Sequence, residues 1–200
     1  MATSKEQRLD QRQRLMEMRE HLRLRVMPDD PSFEREVISA CVRQVQPSID
    51  AHADSTGEQL SAAIAAHLGI RFEEVRTPAD IRALERKYLH EQRELGFGQL
   101  ADEMADPMVD ALLFERHRVA PDAADRWVAV LNIQETEARA YWSRWHEIVH
   151  RLAEPPQRGM KFFRHRTDHG DRLERLIDLG AAELAFPKTV YLYGDRKSVV

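Results

Sequence analysis

Pro107 marks a change of period in this chain of 200 residues. Before it, apolar residues recur at helical spacing, as in Phe33, Val37, Ile38, Cys41 and Val45. After it come MVDALLFERHRV (108–119) and RWVAVLNI (126–133), dense in Val, Leu, Phe and Ile and separated by APDAAD. Such runs flanking a turn segment predict two strands in an antiparallel hairpin. Helical spacing then resumes through Trp142 and Trp145. A hairpin set between helical stretches predicts an α+β architecture, mostly helical.

Local signals divide the rest. Residues 4–27 are rich in Arg, Gln and Glu with few apolar positions, which reads as a solvated helical arm; docking or dimerisation through it stays open. Pro47 is expected to stop or kink the helix that starts at Phe33. Ser55 and Glu58 form a capping-box pattern for the next helix, and Gly69 can close it. IRFEEV (70–75) is a strand candidate, and Thr77–Pro78 opens another helix. Gly96 and Gly98 interrupt that helix, and a short one follows at 100–104. A helix begins near Glu135, with Ala138, Tyr141, Trp142, Trp145, Val149 and Leu152 as its core stripe, and stops at Pro155 and Pro156. MKFFRHR (160–166) is a strand or extended loop, and 171–186 is a last helix ended by Pro187. The expected division is a helical extension at 1–55 and a domain at 56–200.

Composition narrows the function. A net charge of −4 gives no basic excess, so direct nucleic-acid binding is not expected. Cys41 is the only cysteine and sits on a helical apolar stripe, so no intrachain disulfide forms and the thiol reads as a small core residue. No secretory signal or membrane-length apolar run is present, which leads to the expectation of a cytoplasmic protein away from membranes.

The chemistry is concentrated in HEIVH (146–150). Positions four apart on a helix share a face, so His146 and His150 can aim two imidazoles at one point, as a zinc ion requires. Glu147 lies beside them at the spacing of a general base. A third ligand must come from elsewhere. The last helix offers Glu174 and, one turn on, Asp178. Glu174 can complete the set, and Asp178 can accept the proton of a ligand imidazole and fix its tautomer. His21, His52, His67, His90 and His117 lack ligand spacing and read as surface or boundary residues.

With HEIVH followed 24 positions after His150 by Glu174 in ERLIDLGAAELAFP, the chain resembles the ImmA/IrrE family of metallopeptidases. Glu174, Asp178, Gly180, Ala181, Ala182, Leu184 and Pro187 fall on that family's second motif, and Asp178 replaces the more usual Asn, as in gluzincins. The resemblance covers 126–187 well and 57–187 loosely. It implies a zincin-like fold, with helices around a small twisted sheet and an active-site helix that carries HEIVH, with Zn2+ held by His146, His150 and Glu174 and Glu147 as catalytic base. It further implies a peptidase whose protein substrate is a helix-turn-helix repressor. A peptide is expected to lie along a sheet edge, with RWVAVLNI as the suspected strand. His165, Arg166, His169, Tyr191 and Tyr193 are candidates for oxyanion stabilisation. The rival reading is a zinc-stabilised regulatory module of the same fold that binds without cutting; a zinc hydrolase of a non-peptide amide is a third.

Overall fold

A computed structural model describes residues 5–106, 109–120, 122–133, 136–155, 162–165 and 171–186, with the backbone alone at 5–8 and 162–165. The architecture is α+β. Among the described residues seven helices, α1 (Lys5–His21), α2 (Phe33–Ala51), α3 (Gly57–Leu68), α4 (Pro78–Glu85), α5 (Leu100–Met104), α6 (Glu137–Ala153) and α7 (Arg172–Ala185), accompany four strands. The strands are β1 (Ile70–Val75), β2 (Val109–Glu115), β3 (Trp127–Asn132) and β4 (Phe162–His165). A π-helical turn (Arg86–Glu91) continues α4, and a 3-10 turn at Leu95–Gln99 takes up the two glycines. Among the described residues no helix is long and apolar enough to cross a membrane.

The chain forms two compact units. One comprises 65–148 and 156–168; the other comprises 1–64, 149–155 and 169–200.

The first unit is built on the sheet, in the order β1-β3-β2-β4. β2 and β3 pair antiparallel, with Leu113 opposite Ala129, as the hairpin pattern predicts. β1 pairs parallel with β3, with Phe72 opposite Ala129. Every residue of β2 is buried, which explains why its sequence is an apolar run rather than an alternation. Val109, Leu112, Phe114, Val128 and Val130 join Ile81, Leu84 and Met104 in one core. Tyr88, Phe97 and Phe114 stack in succession at 4.3 Å between ring centroids. β3 lies between β1 and β2, so RWVAVLNI is not an edge and its backbone is already paired on both sides.

In the second unit α2 packs against α7. Phe33, Val37, Cys41, Val45 and Ile49 are buried on one, and Leu173, Leu176, Ile177, Ala181 and Leu184 on the other. Helix α2 runs through Pro47 to Ala51 instead of stopping. Burial of Val45 and Ile49 on either side holds the last turn despite the missing donor. Helix α1 is not a solvated arm: Leu15 and Met18 are buried, and the helix packs on α7. Its thin stripe suffices because those two side chains, three apart, meet a ready apolar surface.

Candidate metal centre

Helix α6 begins at a Thr136 cap, whose Oγ1 accepts from the Arg139 N–H at 3.2 Å. Its first half is tied to the sheet by charge. Arg139 Nε stands 3.1 Å from Asp110 Oδ1 of β2, and Arg144 pairs with Glu74 of β1. The core stripe differs from the one the spacing suggests. Ala138 is exposed and Tyr141 and Trp142 are half-buried, whereas all six residues from Trp145 to His150 are buried. A helix turn buried on every side carries no solvated face for polar residues. His146 at 1 % exposed, and Glu147 and His150 at 0 %, therefore require a chemical reason to be there.

Helix α7 supplies the partner. Asp171 caps it, its Oδ1 accepting from Leu173 N–H at 2.8 Å, which puts Glu174 in the first turn, where a carboxylate is favoured. His150 Nε2 stands 3.6 Å from Glu174 Oε2. One close approach draws the two helices together. A Cβ added at Gly180 would lie 2.9 Å from Val149 Cγ1, so only glycine fits there.

The ligand atoms of His146, His150 and Glu174 lie within 4.8 Å of one another. The sequence-predicted set is thus brought together, His146 and His150 by the pitch of α6 and Glu174 by α7. Two ligand atoms each about 2.0–2.2 Å from a tetrahedral zinc stand about 3.3–3.6 Å apart, and the His150–Glu174 separation matches. Two imidazoles and a carboxylate are the donor set of a three-ligand zinc site. The electrostatics point the same way. Burial pushes the His150 imidazole towards neutrality, but the Glu174 and Glu154 carboxylates outweigh it and hold its pKa well above the ordinary value. The surrounding charge calls for a cation at this point, and a divalent metal satisfies that demand as a proton does.

Glu154 is the residue that sequence reading passed over. Its Oε1 lies 3.4 Å from His150 Nδ1, and its side chain is only 5 % exposed. The signal was available: HRLAE places an acid four residues after His150, on the same face of α6. Asp178, assigned the orienting role from sequence, sits one turn beyond Glu174 and is partly buried. His21 and His52 are half-buried and His67, His90 and His117 exposed, as their spacing suggested. The His165 side chain, Arg166, His169, Tyr191 and Tyr193 lie outside the described residues. Compared with known proteins, the chain matches no family model, no curated protein and no solved structure.

Proposed function

We propose that the protein is a zinc-dependent endopeptidase of zincin-like fold that hydrolyses a peptide bond in a protein partner. The ImmA/IrrE resemblance suggests a helix-turn-helix transcriptional repressor as that partner. One observation carries the reading: three ligand-type side chains converge, and Glu147, wholly buried on the same turn of α6, stands outside the ligand set. A pure metal clip has no use for that acid.

Zinc held by His146, His150 and Glu174 would supply Lewis-acid activation of water and of the scissile carbonyl. Glu147 accepts a proton from the attacking water as its oxygen bonds to the carbonyl carbon. It returns that proton to the leaving nitrogen as the C–N bond breaks. Asp178 is the proposed acceptor for a ligand imidazole.

A second reading has its own support. His146, Glu147 and His150 are at most 1 % exposed, and a site that cuts a protein must admit a chain. Such burial also suits a zinc-stabilised regulatory module that docks its partner without cutting it. The Glu147→Gln variant separates the two. The peptidase reading expects zinc content and thermal midpoint near wild type, since no ligand is lost. It expects cleavage of the partner to fall by about 10²–10⁴-fold. A partner bound by both proteins and cleaved by neither establishes the docking module instead.

A further inference from the structure

We infer that Glu154, held in place by Arg14 of the N-terminal helix, is the positioning residue for the His150 imidazole, so that α1 takes part in the metal centre. The inference rests on the reading of His146, His150 and Glu174 as a metal site.

The contacts form a connected path. Glu154 Oε1 faces His150 Nδ1 at 3.4 Å, and on the other side of the same ring Nε2 faces Glu174. A carboxylate at Nδ1 selects the tautomer that carries its proton there. That leaves the Nε2 lone pair directed towards the metal position. Helix geometry provides the approach, since Glu154 is four residues beyond His150.

Glu154 is itself restrained. Arg14 Nη2 stands 3.4 Å from the same Oε1. Arg14 Nη1 reaches Asp171 Oδ2 at 3.8 Å, and Gln11 Nε2 donates to Asp171 Oδ1 at 2.8 Å. Asp171 caps the helix that carries Glu174. One face of α1 therefore touches both the acid beside one ligand and the cap beneath another. Leu15 and Met18 anchor that face by burial. A guanidinium shared between Glu154 and Asp171 limits the rotamers of Glu154. If Glu154 served only to neutralise Arg14, its removal would alter stability and leave metal affinity unchanged.

That difference is the test. Zinc affinity of the full chain is measured by competition with a chelator, and the cobalt(II) absorption spectrum reports ligand geometry. Thermal melting of each metal-free variant confirms folding. Glu154→Ala is expected to weaken zinc by about 10–100-fold and shift the cobalt bands. Glu154→Gln keeps an acceptor in the same place and recovers part of the loss. Arg14→Gln, which leaves Glu154 in place but unrestrained, weakens zinc less than Glu154→Ala and moves the cobalt bands in the same direction. Glu154→Leu fills the buried volume and carries the test should the alanine variant not fold. Wild-type zinc affinity and an unchanged cobalt spectrum in Glu154→Leu or Glu154→Ala overturn the inference. His150→Ala, measured alongside, tells the two failures apart. If it loses zinc while the Glu154 variants do not, only the positioning role falls. If it holds zinc as wild type does, the metal reading falls and the positioning role with it.

Discussion

At the residue scale, burial decides what each polar side chain can do. His146, Glu147 and His150 were legible as a group because their spacing is local and fixed by the helix. Glu154 was equally local but went unread, since a Glu four residues after a His is ordinary on a solvated helix. Only its burial against Nδ1 gives it meaning. Cys41 shows the converse: it was read as a packed thiol and is 1 % exposed. Burial pushes its pKa up to about 12, so the thiolate is essentially absent at neutral pH. In native protein at pH 7–8 a thiol reagent should leave Cys41 unlabelled for as long as the chain stays folded, and should label it fully in denaturant. Rapid labelling under native conditions would show that α2 does not pack as described.

At the element scale, helix and strand identities followed from period, while boundaries and continuity did not. The pattern Ser55–Glu58 is the capping box the sequence suggests for α3, but the structure forms it one residue on, with Gln59 N–H donating to Thr56 Oγ1 and Thr56 N–H to Gln59 Oε1. A local pattern cannot choose between registers one residue apart; burial of Leu60 and Ile64 does. By contrast, Thr77 and Asp80 form the capping box of α4 with Pro78 in its first turn, and Gly69 takes φ +69 after α3, because the backbone at those points demands those residues. Gly180 makes the element-scale prediction. Alanine there would gain up to about 1 kcal/mol of helix propensity. Its Cβ would also meet the stiff, β-branched Val149 at 2.9 Å. Overpacking of this kind costs about 1–3 kcal/mol, so Gly180→Ala should lower stability in denaturant titration and weaken zinc binding by displacing α7. The double variant with Val149→Ala should recover much of that loss. Additive losses in the two variants would show that the two positions are not in contact.

At the scale of the whole molecule, 1–64 shares a compact unit with 149–155 and 169–200, and α2 buries Phe33, Val37, Val45 and Ile49 where it packs on α7. Arg172 of α7 reaches back to Glu34 at 3.8 Å and lies over the Phe33 ring. A fragment comprising 56–200 would leave the buried face of α7 open to water, at about 1.5–3 kcal/mol for each large apolar side chain uncovered. It should therefore lose the cooperative melting transition of that unit and its zinc together. A 56–200 fragment that melts cooperatively and keeps zinc would restore the picture of a dispensable appendage.

The sequence by itself determined the α+β class, the hairpin, the type of most elements and the two histidines and glutamate of HEIVH. Those features depend on period and spacing within a few residues, where helix and strand geometry leave little choice. The tertiary structure alone decided that β3 is central rather than an edge, that α1 and α2 belong with α7, and that Arg14 stands beside Glu154. Each of these joins residues far apart in the chain. Their meeting depends on which buried faces pack together, and a residue's neighbours in sequence do not encode that choice.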